Sequence, residues 1–438
     1  MTASLIVWTI TALIVTAALT QEWWEPRLKS KGVRVPPLPL RWWLLGYPGT
    51  ALRIWSTWRP FAHQTGLSIA RRPGARMVGR DLLVHGEAVR PRPPRMGWPM
   101  PTRTGLTVRV IMHPGQTPAP YAAAARAMAH AWRVHSVRVT TPRRGHILIT
   151  AVTVDPLTGK APAPQSSGLL TDLQIGRNED GEPWVIDLRT CPHWLITGAT
   201  QSGKSTCLTA LVASLARQPV ALVGIDLKGG LELGPVSARF SGLATSREGA
   251  VDLLRTVMEE IVRRADTCRT AGVKSVWDLA VPPPPLVLLV DELAELYLSD
   301  GTRADRDTAE QAGTLLLRVV QLGAGVGVHA VVAGQRVGSD IGPRVTALRA
   351  QLGGRIAHRG DAGSVEMTLG DLSPDAVVAA QSIAHGDRGI AIVADGAGWM
   401  RVRSRLVTPE EIREIRRIPP VPLATPETPG STQKGTHP

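Results

Sequence analysis

The hydrophobic pattern divides the chain into three regimes: an uncharged apolar run from Ala3 to Leu19, a mixed stretch, and alternating strand-like and helix-like segments from Gly105 onward. The opening run holds 17 residues. At about 1.5 Å per residue it nearly crosses a hydrocarbon layer of about 30 Å. Thr20 and Gln21 bring it to spanning length, Trp23 and Trp24 follow at interfacial depth, and Arg27, Lys29, Lys31 and Arg34 come after it with no Lys or Arg before. Basic flanks stay on the cytoplasmic side. The pattern therefore predicts a single-pass transmembrane helix over residues 1–22, with the N-terminus outside and the remainder in the cytoplasm. A cleaved signal peptide, using Val15-Thr16-Ala17, is the rival reading, disfavoured by the missing basic residues ahead of the run.

Residues 23–100 fit neither regime. Between Arg41 and Phe61, four tryptophans and a tyrosine sit among arginines, broken by Gly46, Pro48 and Gly49. That suits a juxtamembrane segment with rings at headgroup level and guanidinium groups on anionic lipid; a small Trp-containing core is the alternative. Arg71 to Arg95, rich in Pro and Arg, reads as a linker.

From Gly105, LTVRVIM predicts a strand, PYAAAARAMAHAWRV a helix, and SVRVTT and HILITAVTV two more strands. Together they make a small α+β module over residues 101–165, closed by the linker Asp155 to Gly168. LQIGRNEDGEPWVIDL then predicts two short strands about the turn Glu179-Asp180-Gly181. The runs HWLIT, VALVGIDLK, LVLLVDEL, VHAVVAGQR, GGRIAHR and GIAIVA follow, alternating with helical stretches such as STCLTALVASLA and TLLLRVVQLGAGV. Thr245 and Glu248 have the spacing of a capping box, ahead of a helix with Ala250, Leu254, Val257, Ile261 and Ala265 on one face. Such alternation predicts an α/β domain over residues 166–408, a mostly parallel sheet with helices on both faces. Its ligands would gather at the strand carboxyl ends, where Asp226, Asp291 and Gln335 fall. Residues 409–438, low in large apolar side chains, read as a disordered tail.

The chemistry is concentrated in GATQSGKS and the residue after it: Gly198, Ala199, Thr200, Gln201, Ser202, Gly203, Lys204, Ser205 and Thr206. G-x-x-x-x-G-K-[ST] between a strand and a helix is a phosphate-binding loop. Its amides curl around phosphate oxygens, Lys204 reaches the β and γ phosphates, and the Ser205 hydroxyl binds Mg²⁺. Downstream, LVLLVDEL ends an apolar strand in Asp291-Glu292, which supplies a second Mg²⁺ ligand, Asp291, and a general base, Glu292. ATP and Mg²⁺ are the implied cofactors. Glu295 and Asp300 read as ordinary surface acids.

The net charge of +14 at first suggests nucleic acid, but residues 1–150 hold 21 Lys or Arg against 4 Asp or Glu, and the remainder holds 29 against 32. Bulk charge therefore does not argue for DNA binding by the nucleotide-binding domain. Cys191, Cys207 and Cys268 lack C-x-x-C spacing and read as thiols of a reducing compartment.

PHWLITGATQSGKST, IDLKGGLEL, LLVDELAEL and HAVVAGQR, in this order, resemble the FtsK/SpoIIIE family of DNA-pumping ATPases, over about Gly105 to about Ala394. The resemblance implies a RecA-like motor domain, membrane tethering, a homo-hexameric ring, and threading of double-stranded DNA at the expense of ATP. It assigns Gln335 as a γ-phosphate sensor and Arg355 as the arginine given to a neighbouring subunit's site, with Arg336 as runner-up. Arg344 and Arg349 become candidates for DNA phosphates. Three departures stand out: Gln201 where a small residue is commoner, Leu227 for a usual proline, and AGQRV for ATQRP. About thirty residues follow the motor domain, too few for the winged-helix module of chromosome-pumping relatives. The expectation is therefore a shortened version similar to actinobacterial proteins that move plasmids or integrative elements, with other transfer proteins as further partners. Alternatives are a type VII secretion or coupling-protein cargo, and a non-catalytic nucleotide-binding membrane scaffold.

Overall fold

The computed structural model describes residues 42–69, 74–78, 81–85, 91–102, 104–153, 155–158, 168–396 and 398–423, with isolated positions between 9 and 20. The predicted transmembrane run lies almost wholly outside them. Among the described residues no helix is long and apolar enough to cross a membrane. The chain divides into two compact units, Met1–Thr158 and Gly159–Pro438.

The first unit contains the hairpin β1 (Gly74–Val78) and β2 (Asp81–His85), which pair antiparallel. Its main sheet comprises β3 (Arg95–Met96), β4 (Met100–Pro101), β5 (Gly105–Ile111), β6 (Ser136–Arg143) and β7 (His146–Val152), ordered β3-β5-β7-β6 with β4 also on β5. The Trp-rich segment forms the helix Tyr47–Gln64. Ile54, Trp58, Phe61 and Ala62 come from one face of that helix and share a core with Val108, Met128, Trp132 and Ile149. The buried side of this segment is thus the small Trp-containing core, while Leu52 and Trp55 stay exposed. Trp58 Nε1 donates to the Pro94 carbonyl at 2.9 Å, which satisfies the buried indole.

The second unit is built on a ten-stranded sheet. Its strands are β8 (Leu173–Asn178), β9 (Pro183–Ile186), β10 (His193–Thr197), β11 (Ala221–Ile225), β12 (Gly242–Ala244), β13 (Leu286–Val290), β14 (Val328–Gly334), β15 (Gly354–His358), β16 (Ile390–Asp395) and β17 (Gly398–Ser404). The order is β12-β11-β13-β14-β10-β15-β16-β17-β8-β9. The run from β12 to β15 is parallel, and from β15 onward the pairings are antiparallel. The sheet is therefore mixed, a parallel half with an antiparallel flank. Two cores explain the unbroken apolar runs: Leu195, Val223, Leu288 and Val332 face one, and Trp194, Leu222, Leu289 and Val331 face the other.

Two boundaries differ from expectation. The helix Arg247–Ala271 is capped by Ser246, whose side chain accepts from the Gly249 amide. The Thr245–Glu248 box does not form, because Ser246 is the residue left with extended backbone at the helix start. Order also continues past residue 408, because the helix Pro409–Ile415 carries a complete capping box of Thr408 and Glu411 and buries Ile415. Residues 424–438 of the expected tail lie outside the described residues.

Candidate functional site

The parallel order places β14 between the phosphate-loop strand β10 and the acidic strand β13. The carboxyl ends of the three strands carry Gly198, Gln335 and Asp291-Glu292, so residues far apart in the chain meet at one edge. An open cleft of about 310 Å³ lies there, lined by Ala199, Gln201, Lys204, Ser205, Lys228 and Arg388, among others.

The loop's shape follows from its glycines. Gly203 has φ +115° and opens the helix Lys204–Leu215; a Cβ there would sit 2.4 Å from the Gly389 Cα. Gln201 also has positive φ, +62°. A side chain in the left-handed region costs roughly 1–2 kcal/mol, so the loop holds this residue against its own preference. The loop leads directly into the start of the helix Lys204–Leu215, where backbone amides are suited to anions.

Lys204 and Glu292 form the centre of the site. Lys204 is 7% exposed; its Nζ donates to Glu292 Oε2 at 2.8 Å and to the Asp291 carbonyl at 3.2 Å. Lys228 Nζ donates to the same Glu292 oxygen at 2.9 Å, and the Gln335 amide donates to Oε1 at 2.8 Å. Burial alone would raise Glu292. The Lys204 charge beside it and the bonds from Lys204, Lys228 and Gln335 outweigh burial, holding the carboxyl below its ordinary range. Burial pulls Lys228 down, but Glu292 more than reverses this and raises it.

Asp291 is 1% exposed, and neither carboxylate oxygen has a hydrogen-bond partner among the described residues. Burial pushes it up to about 6, against the opposing pull of Lys204 and Lys228. A buried carboxylate without a hydrogen-bond donor, just past the carboxyl end of β13, fits a hard divalent cation that takes oxygen ligands and keeps several waters, and the Ser205 hydroxyl on the cleft wall is a second oxygen of the kind it would take. Among the described residues no three His, Cys, Asp or Glu cluster as a protein-only metal cage. A site that shares its cation with phosphates needs no such cage.

The structure also sorts the remaining candidates. Thr200 Oγ1 donates to Gln335 Oε1 at 3.4 Å, so the sensor candidate touches the phosphate loop. Arg355 does not reach the cleft. It is 4% exposed on β15 and donates to the Arg349 carbonyl, and burial, followed by the Arg349 charge, pushes it down to about 10. In this conformation the guanidinium expected to serve a neighbouring subunit is turned into its own subunit. Arg336 is exposed, 3.9 Å from Asp340. Arg344 is exposed and pairs with Glu310, whereas Arg349 is half-buried and donates to the Val337 carbonyl.

Sequence reasoning missed the use of Lys228 and missed Arg388 altogether. Buried Asp226 accepts from the Lys228, Glu232 and Leu233 amides, folding the Asp226–Leu233 loop so that Lys228 turns toward Glu292. The signal was the acid-x-Lys ending of the VALVGIDLK strand. Nothing in the sequence around Arg388 connects it to the phosphate loop.

Residues 32–153 match the family described as actinomycete conjugal transfer protein N-terminal domain, and residues 165–281 match the FtsK/SpoIIIE family. The transfer protein TraSA of Streptomyces ambofaciens is 38% identical over 368 residues, covering 80% of this chain and 87% of that protein. The DNA translocase FtsK of Helicobacter pylori is 30% identical over 270 residues, 57% of this chain but 29% of that protein. Among solved structures, the pCW3 conjugation coupling protein TcpA, determined with ATPγS, matches with a TM-score of 0.53 at 17% identity. That match covers 84% of this chain and 100% of the TcpA chain, and it shows a shared fold.

Proposed function

The chain belongs to the FtsK/SpoIIIE family, among the actinomycete conjugal transfer proteins, and is an ATP hydrolase; on that ground we propose that it is a membrane-anchored motor moving double-stranded DNA during conjugal transfer of a plasmid or integrative element. The observation that carries the reading is the junction of Lys204, Lys228 and the Gln335 amide on the single carboxylate of Glu292. That arrangement links the phosphate loop, the acidic strand and the sensor strand through one side chain.

In this reading ATP lies across Gly198–Thr206, and Lys204 leaves Glu292 for the phosphates. Mg²⁺, held by Ser205 and Asp291, would neutralise charge developing on the phosphate oxygens. Glu292, kept ionised at neutral pH by its cationic neighbours, accepts a hydrogen bond from the attacking water and orients it. Gln335 feels the γ phosphate with its side chain and passes its presence to Glu292 through the hydrogen bond that its backbone N–H donates to Glu292 Oε1. The motor works as a homo-hexameric ring in which exposed Arg336 is the arginine offered across subunits. Exposed Arg344 is the contact for DNA phosphates, which position the duplex without reading its sequence.

The anchor is residues 1–22, with the motor domain on the cytoplasmic face of the cell membrane. The test is displacement of a third strand from a duplex by the full chain in detergent. ATP-dependent displacement supports the reading; tight duplex binding without displacement refutes it. Deleting residues 3–19 should release the protein from membrane pellets.

A further inference from the structure

Arg388 lines the same cleft as Lys204 and Ser205 without belonging to any motif of the site. Its guanidinium donates from Nη2 to Gln201 Oε1 at 3.1 Å, in the middle of the phosphate loop. That acceptor is a neutral amide. The two lysines of the cleft, by contrast, share the Glu292 carboxylate. Among the described residues, Arg388 is thus the cleft cation without a carboxylate within ion-pair distance.

Its backbone is fixed to the loop. The Gly389 amide donates to the Ser202 carbonyl at 2.8 Å, and the Gly389 Cα lies so close to Gly203 that no Cβ fits between them. From that fixed backbone the guanidinium already reaches the middle of the phosphate loop of its own subunit. Gln201 adds an independent observation. It occupies a backbone conformation that disfavours any side chain, φ +62°, yet is not glycine. Strain of this kind persists where the side chain has a use, and the use on display is to hold Arg388.

We propose that Arg388 is a substrate-binding arginine acting in its own subunit: it contacts the triphosphate of bound ATP, and Gln201 is the positioning residue that aims it. Arginine suits this task because its planar fork grips phosphate oxygens in pairs and stays charged at every relevant pH. β16 starts at Ile390, directly after this pair, and hydrogen-bonds to both β15 and β17. A phosphate drawn onto Arg388 therefore pulls on the antiparallel flank of the sheet, a route separate from Gln335 on β14.

The inference rests on the ATP-hydrolase assignment, and the experiment separates the two. Binding of ATP and, by competition, of AMP is measured on the full chain for wild type, Arg388→Ala, Arg388→Lys and Gln201→Ala, together with kcat and KM. Arg388→Ala should weaken ATP about tenfold, the size of one charge-assisted hydrogen bond, and leave AMP and the melting temperature unchanged because the side chain is exposed. Arg388→Lys should recover part of the loss. Gln201→Ala should raise KM for ATP with little effect on kcat. ATP affinity of Arg388→Ala equal to wild type overturns the proposal, and so does an equal loss for ATP and AMP, which would mean that Arg388 merely braces the loop. A wild-type chain that binds no ATP overturns the hydrolase assignment along with it.

Discussion

Replacing Glu292 by Gln keeps the side chain's shape and removes the charge that three donors share. All three of its hydrogen bonds end on an ionised carboxylate, and those from Lys204 and Lys228 bring a charged donor as well, whereas the Gln335 backbone N–H is neutral. The amide that replaces the carboxylate can still accept from Gln335, but its NH₂ would face two ammonium groups. Removing one partner of a buried ion pair costs about 3–5 kcal/mol, and Glu292 is 4% exposed. The nucleotide-free variant should therefore melt on the order of 10 °C lower than wild type. Triphosphate changes this, because its oxygens replace the missing carboxylate. ATP with Mg²⁺ should raise the variant's melting temperature by more than it raises that of wild type. Hydrolysis should meanwhile fall by about 10²- to 10⁴-fold. Thermal unfolding with and without ATP, alongside phosphate release, measures both effects on one sample. Wild-type turnover by Glu292→Gln would refute the role of this carboxylate, and an equal ATP-induced shift in both proteins would refute the shared-cation argument.

Other consequences are checked more simply. His193, His329 and His358 are buried and pushed down to about 4 mainly by desolvation, so the fold keeps them neutral while the unfolded chain protonates near its ordinary value. A lowered histidine loses stability as pH falls. Denaturant melts should show a loss on the order of 5 kcal/mol between pH 7 and pH 5, partly offset by Asp291, which is pushed up to about 6 and takes up a proton in the fold. A flat profile would contradict the burial of these rings. Gly203→Ala puts a methyl group against the Gly389 Cα at φ +115° and should abolish ATP binding, as read by a fluorescent analogue. Ser246→Ala should cost about 1 kcal/mol in a urea melt while Thr245→Ala costs almost nothing; the reverse order would move the helix cap.

The parallel half of the sheet was legible because its strands are buried on both faces and read as continuous apolar runs, as in LVLLV of β13. The edges were not. β12 has three residues, and β17 buries only Val402 and Ser404 and carries half-buried Arg401 and Arg403 beside them. Gly46, Pro48 and Gly49 looked like breaks in the Trp-rich segment. Pro48 instead falls in the first helical turn, where its missing N–H costs nothing, and Ile54, Trp58 and Phe61 then line up on one face. Within the site, residues bound to a local motif could be found. Partnerships across long separations could not: Lys228 meets Glu292 across 64 residues, and Arg388 meets Gln201 across 187. The burial of Arg355 was hidden for a related reason, since spacing locates a residue on a strand but does not say whether its guanidinium points outward or into the core.

The account stands or falls on coupling between ATP turnover and duplex DNA. The direct measurement is phosphate release by the full chain in detergent with linear duplex, with single strand of the same length, and with no DNA. A duplex-specific rise that weakens with added salt is the predicted result. An unchanged rate across all three conditions, from a preparation that hydrolyses ATP, would contradict the account.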